Sequence, residues 1–175
     1  MSEVKRVAIL GAESSGKSTL AEALAARYGT LWVPEYLREF VDAHGRTPYE
    51  QDQYHIALVQ MEREDAAAAR ARRFLFCDTT PLMTGLYSRV YWNRVDDRLA
   101  ALAQARGYAL TLVAAPDGPW VPDGLMRESE EVRRKVHRMV LQALDERGIA
   151  FVQVEGTLSQ RLRQVEALLG PPGLL

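Results

Sequence analysis

Gly11-Ala12-Glu13-Ser14-Ser15-Gly16-Lys17-Ser18 follows the apolar run Val7-Ala8-Ile9-Leu10 and leads straight into Lys17–Tyr28, a stretch of helical composition. A strand, a glycine-bounded turn and a helix, in that order, restrict the fold more than any other feature of the chain. The turn fits G-x-x-x-x-G-K-[ST], the phosphate-binding loop or P-loop. A polyphosphate needs many donors at short range. Glycines let the backbone bend and approach, its N–H groups ring the phosphates, and the helix N-terminus adds positive potential. Gly11, Glu13, Ser14, Ser15, Gly16, Lys17, Ser18 and Thr19 are therefore the expected ATP-binding residues. Lys17 is placed to reach the β- and γ-phosphates, and the Ser18 hydroxyl to bind Mg²⁺.

The rest of the chain alternates short apolar runs with helical patterns, the signature of an α/β domain with a mainly parallel sheet. Further strands are expected at 31–33, at 74–77 ending on Asp78, at 109–114 and at 149–154. Thr47-Pro48-Tyr49-Glu50 reads as a helix start, with Thr47 as N-cap, Pro48 in the first position and Glu50 reaching back. That helix is expected to place Tyr54, Leu58 and Met61 on one face. Thr80-Pro81 opens a helical stretch that runs, with a break, toward Gly107. Val132, Val136, Met139, Val140, Ala143 and Leu144 mark an amphipathic helix, and Thr157 with Gln160 caps a last one. Five strands with intervening helices suit a three-layer P-loop NTPase sandwich. Its ligands bind beyond the carboxyl ends of the strands. Residues 1–170 are expected to form a single domain, and 171–175 a loose tail.

Composition excludes several classes. Lys and Arg number 22 against 23 Asp and Glu, so a basic surface for nucleic acid is not expected. A lone cysteine, Cys77, leaves no internal disulfide and no multi-cysteine zinc site. His44, His55 and His137 lack metal-ligand spacing. No apolar run approaches the roughly 20 residues of a membrane span. The first residues, reaching the acidic Glu3, do not have the layout of a signal peptide. A cytoplasmic location is the expectation.

Away from the P-loop, Asp78 ends a buried-type strand, where a Walker B acid orders Mg²⁺ and its waters. Glu35 directly follows the second strand, with Arg38 about one helical turn on. An acid there can accept the proton of an attacking hydroxyl, although a glutamate is also favoured at any helix N-terminus. The breaker-rich segment 116–124 leads to Arg127, Arg133 and Arg134, and reads as a lid whose arginines neutralise transition-state charge. Arg127 is the catalytic candidate and Arg133 a nucleotide-binding one; a solvated helix face is the alternative for both. Trp120 is either a core plug or a face for stacking a flat, cationic ring.

A switch GTPase would show D-x-x-G after the third strand, but the sequence there is Asp78-Thr79-Thr80-Pro81. Asn93-Arg94-Val95-Asp96 resembles a guanine motif only weakly and lies inside a helical stretch. A large mechanical ATPase has no room for its extra subdomains. A compact kinase of a small metabolite remains.

Four segments carry a family resemblance: the P-loop with Thr19-Leu20, Pro34-Glu-Tyr-Leu-Arg-Glu-Phe40, Phe76-Cys-Asp-Thr-Thr80 and Pro119-Trp-Val-Pro-Asp-Gly-Leu125. In order and spacing they resemble the ribosylnicotinamide kinase domain of bacterial NadR-type proteins, an AAA-like P-loop kinase, over nearly the whole chain. The resemblance implies transfer of the γ-phosphate of ATP to the 5′-hydroxyl of nicotinamide riboside, with Mg²⁺. Glu35 would be the base or a ribose-binding acid, and Tyr36, Arg38, Trp120 and Asp123 would face the acceptor. Such proteins often carry an adenylyltransferase domain and sometimes a DNA-binding domain. The resemblance here covers neither, so adenylylation and repression are not implied. The same side chains could hold a neutral nucleoside, which keeps a deoxynucleoside or nucleoside-monophosphate kinase open. A regulatory module that hydrolyses ATP slowly is the reading from another class.

Overall fold

The chain, seen in a computed structural model that describes residues 3–121 and 129–173, alternates strand and helix throughout. Its first strand, β1 (Lys5–Leu10), is apolar and β-branched, and Val7 to Leu10 are at most 1% exposed. Such a strand needs cover on both faces. Helix α1 (Lys17–Tyr28) supplies part of it and stops at Gly29, whose φ of 63° turns the chain left-handed. The remaining elements are β2 (Leu31–Val33), α2 (Tyr36–His44), α3 (Asp52–Ala68), β3 (Phe74–Asp78), α4 (Pro81–Trp92) and α5 (Asp97–Gln104). They are followed by β4 (Leu110–Ala114), α6 (Glu130–Glu146), β5 (Val152–Val154) and α7 (Leu158–Leu169).

Among the described residues the strands form one parallel sheet in the order β2-β3-β1-β4-β5. Val7 and Ile9 face Leu20, Leu24 and Val165 of α1 and α7, while Ala8 and Leu10 face Met83, Val136, Val140 and Leu144 of α4 and α6. This is the expected three-layer sandwich. The order reverses beside β1, and such a switch point leaves a crevice at the strand carboxyl ends. The β1–β3 register sets Asp78 opposite Ile9, next to the turn that starts at Gly11. No helix among the described residues is long and apolar enough to cross a membrane.

Several local expectations are corrected. Helix α3 starts at Asp52, not after Thr47. Glu50 is drawn away by Arg94, whose Nε and Nη2 donate to it at 2.5 and 2.8 Å. Asp52 takes over the end, accepting from the Tyr49 N–H at 2.8 Å and from Arg46 at 2.9 Å. A two-point guanidinium–carboxylate pair outcompetes a single reach-back bond. The buried face of α3 is also rotated: Gln53, Ile56, Ala57, Gln60, Met61, Glu64 and Ala67 are buried, whereas Tyr54 and Leu58 are half-buried. The fifth strand begins at Val152, because Ile149 belongs to the end of α6, its N–H donating to the Leu144 carbonyl at 2.9 Å after Gly148 at φ 65°. Pro171, expected in a loose tail, is tied by its carbonyl to Arg73 at 3.0 Å. Other expectations hold. The break after α4 falls at Asn93, φ 55°, and Asp96 caps α5, so the guanine-like run is capping chemistry. Thr157 and Gln160 form the full capping box.

Below the sheet, at the end away from the P-loop, Glu64 is fully buried. Its Oε1 accepts from Arg6 and Arg106 at 3.1 Å each, and its Oε2 from the Tyr108 hydroxyl at 3.0 Å. Burial, then the negative charge of Glu64, pushes the Tyr108 phenol well above its ordinary range; burial does the same to the Cys77 thiol, which leaves it unreactive. Glu64→Ala would take the partner from the buried Tyr108 hydroxyl, while Arg6 and Arg106 keep their second partner, Asp65, and about 2 kcal/mol of stability is the expected loss. Urea unfolding checks this, and a loss below about 1 kcal/mol would contradict it.

Candidate functional site

The P-loop geometry follows from its glycines. Gly11 has φ 152°, and a Cβ there would stand 2.8 Å from Ser15 Oγ and 3.1 Å from the Ala114 carbonyl. Gly16, at φ 86°, holds the N-cap of α1 without any side-chain cap, and the first turn carries no acid. The first N–H groups and the positive end of the helix dipole are thus left for an anion. Ser14 turns left-handed at φ 56° and its Oγ donates to the Val121 carbonyl at 2.9 Å; Ser15 Oγ donates to the Ala12 carbonyl at 2.6 Å. Glu13 is buried in the loop and Thr19 is exposed on the first turn of α1. The Lys17 ammonium donates to the Ala12 carbonyl at 3.1 Å, folded back along the loop it is expected to serve.

Ser18 Oγ donates to Asp78 Oδ2 at 2.6 Å, joining the two expected metal residues. Asp78 is fully buried and its Oδ1 has no hydrogen-bond partner. An unpartnered buried carboxylate oxygen is costly unless a cation or donor meets it. With an adjacent hydroxyl, this donor set fits Mg²⁺, which prefers hard oxygens and takes few from the protein itself. No cluster of three or more His, Cys, Asp or Glu residues suited to a metal occurs among the described residues. Thr79 follows at φ 76°, a strained state for a β-branched residue, and its N–H reaches the Ile9 carbonyl at 3.0 Å. That bond locks the end of β3 against the end of β1.

Two buried arginines support the loop from behind. Arg133, 1% exposed, donates through Nη1 to the Ser14 carbonyl at 3.2 Å and through Nη2 to the Gly118 carbonyl at 3.0 Å. The helix-face alternative for Arg133 is therefore wrong: it is buried, bonded to the P-loop backbone at Ser14 and to the Gly118 carbonyl. Arg161, absent from the sequence-derived candidates, donates to the carbonyls of Ser15 (2.5 Å), Ala115 (2.9 Å) and Gly156 (3.1 Å) and to Asp117 Oδ1 (2.7 Å). Burial alone would raise the Asp117 carboxyl, but the Gly156 N–H and the Arg161 guanidinium bring it below the usual carboxylate range. The one available signal was position: Arg161 lies four residues before Val165, on the buried face of α7.

Glu35, the expected proton acceptor, lines a small cavity with Gln53, Gln60, Thr79, Thr84 and Tyr87. Tyr36 and Arg38 do not line it. The Tyr36 ring lies under the Arg63 guanidinium at 4.8 Å, and Arg38 is exposed. Trp120 is half-buried with an unpartnered Nε1. Asp123 and Arg127 fall outside the described residues. His44 stacks on Phe40 at 3.9 Å, His55 is exposed, and burial, then Arg138, lowers the His137 pKa.

The NadR-like reading is supported by comparison with known proteins. The trifunctional NAD biosynthesis/regulator protein NadR of Salmonella typhimurium is 32% identical over 97% of this chain and 44% of its own length. Its Escherichia coli counterpart is 34% identical over 87% of this chain and 38% of its own length. The chain thus spans less than half of the curated relatives it matches. Among solved structures, a NadR protein in complex with NR superposes with a TM-score of 0.82 at 22% identity, over 99% of this chain and 53% of the other. A NadR protein with NAD and AMP-PNP gives 0.79 at 20% identity, covering 99% and 51%. Deoxyadenosine kinase from M. mycoides gives 0.65 at 13%, covering 94% and 98%. At these identities the structures share a fold, the P-loop kinase sandwich built above. Residues 6–161, which run from the start of β1 to the arginine behind the P-loop, match the family described as AAA domain, and the chain belongs to that family.

Proposed function

We propose that this chain transfers the γ-phosphoryl group of ATP to the 5′-hydroxyl of nicotinamide riboside, giving nicotinamide mononucleotide and ADP. The observation that carries the phosphotransfer is the buried Asp78, bonded to Ser18 with one oxygen still unpartnered, beside a P-loop whose helix is uncapped. The acceptor rests on the two NadR relatives, whose names include NAD biosynthesis.

In this reading the P-loop N–H groups hold the triphosphate, and Lys17 exchanges its bond to the Ala12 carbonyl for the β- and γ-phosphate oxygens. Asp78 and Ser18 hold Mg²⁺, which when bound offsets the phosphate charge. The Glu35 carboxylate accepts the proton of the 5′-hydroxyl as its oxygen bonds to γ-phosphorus and the bond from that phosphorus to the β–γ bridging oxygen breaks. Arg133 and Arg161 keep the loop in shape, and Arg127 would be the arginine that neutralises developing charge. Trp120, Asp123, Tyr36 and Arg38 are the acceptor-side candidates by resemblance, of which Tyr36 and Arg38 lie outside the Glu35 cavity. Of the aromatic faces, Trp120 is the better one for a cationic ring, because Tyr36 already stacks with Arg63.

The test is ADP release with ATP, Mg²⁺ and single acceptors. Turnover is expected with nicotinamide riboside. Turnover only with a deoxynucleoside or a nucleoside monophosphate would replace the acceptor, and acceptor-independent hydrolysis alone would replace the kinase by a regulatory ATPase.

A further inference from the structure

Gln60 of α3 is 3% exposed, and its side-chain amide makes three hydrogen bonds to backbone beside the site. Its Oε1 accepts from the Tyr36 N–H at 2.8 Å, and its Nε2 donates to the Pro34 carbonyl at 3.1 Å and to the Asp78 carbonyl at 3.4 Å. The orientation of the amide is dictated by its partners, since an N–H only donates and carbonyls only accept. Pro34 and Tyr36 flank Glu35, so a single side chain grips the backbone on both sides of that acid. The third bond ties the same amide to the residue expected to hold the metal. The ends of β2 and β3 are thereby linked at the one place where an acceptor's proton and a phosphate's charge have to be handled together.

From this geometry we infer that Gln60 is a positioning residue for the acceptor half of the reaction: it fixes Glu35 relative to Asp78. The inference rests on the proposed phosphotransfer and deepens it. Only glutamine meets the requirement. Asparagine is one methylene too short, an ionised glutamate cannot donate, and methionine offers neither group. Misplacement of a reacting group by about 1 Å is enough to cost about 100-fold in rate. ATP, held by the P-loop and Lys17, does not depend on this amide.

The experiment uses the full chain and compares Gln60→Met and Gln60→Glu with wild type. With nicotinamide riboside, ATP and Mg²⁺, Gln60→Met is expected to lower kcat at least about 10-fold while the KM for ATP stays within about twofold. Native-state exchange of the Tyr36 amide is expected to quicken about 10-fold or more in the same variant, because its acceptor is gone. In Gln60→Glu the protonated carboxyl keeps the acceptor and one of the two donated bonds, while the ionised form donates neither and repels both carbonyls. The ratio of its kcat to wild type is therefore expected to fall as pH rises, which mere loosening of α3 would not produce. A Gln60→Met kcat within about twofold of wild type overturns the inference, as does a kcat loss matched by an equal rise in KM for ATP. Should Gln60→Met fail to fold, Gln60→Glu decides: a pH-flat ratio overturns the inference and a falling one supports it. If the wild-type chain does not phosphorylate nicotinamide riboside, the proposed function fails on its own. Gln60 is then judged by Tyr36 exchange, where an unchanged rate overturns it.

Discussion

Lys17→Ala is expected to reduce phosphoryl transfer by about 10³-fold or more while leaving the protein folded, since one preorganised charge aimed at the transition state is commonly worth that much. In the structure the ammonium makes one hydrogen bond, to the Ala12 carbonyl at 3.1 Å, on a partly buried side chain. Losing such a bond costs about 1 kcal/mol or less of stability. In the proposed mechanism the lysine acts through charge on a bound triphosphate, and its single bond to Ala12 contributes little to stability. Steady-state kinetics beside a thermal melt separates the two effects. Near wild-type turnover, or a collapse of the melt in step with activity, would remove Lys17 from the mechanism.

Glu35→Gln is the second large effect. The substitution keeps the shape of the cavity wall but removes the proposed proton acceptor, and general-base loss costs about 10²–10⁴-fold in rate. The fall is expected in kcat, with ATP affinity within about twofold of wild type. The acid limb of the kcat–pH profile, which reports protonation of the base, should vanish in the variant. Calorimetry for ATP and kcat measured across pH check this. Weakened ATP binding with an unchanged kcat would move Glu35 to the nucleotide side, and an acid limb that persists would mean that another group takes the proton.

The parts of the fold and site that were legible in the sequence share one property: each depends on residues a few positions apart. Gly11 and Gly16 define their turn locally, and Ser18 follows at once on the α1 helix. Thr157 and Gln160 cap α7 across a single turn, so their pattern survives in the structure. Thr47 and Glu50 have the same spacing and fail as a cap, because Arg94, 44 residues from Glu50 in sequence, claims the carboxylate. Apolar periodicity misjudged α3 for a related reason. The expected face of Tyr54, Leu58 and Met61 does not include Gln53, Gln60 and Glu64, yet all three are buried, each with a hydrogen-bond partner on another element. A buried polar group is tolerable only when it is paired. Its burial is therefore decided by the partner rather than by its own type.

The same reasoning divides the site. Sequence alone determined the phosphate cradle, the strand-ending Asp78 and the three-layer α/β architecture, because glycine conformation, hydroxyl and ammonium chemistry, and strand–helix alternation are written over short spans. Tertiary structure alone decided that Arg161 grips Ser15 across 146 residues, that Arg133 is buried against Ser14 across 119, and that Gln60 brackets Glu35. Desolvating a guanidinium or an amide is favourable only after distant chain segments have converged to supply its acceptors, and no local pattern records that convergence.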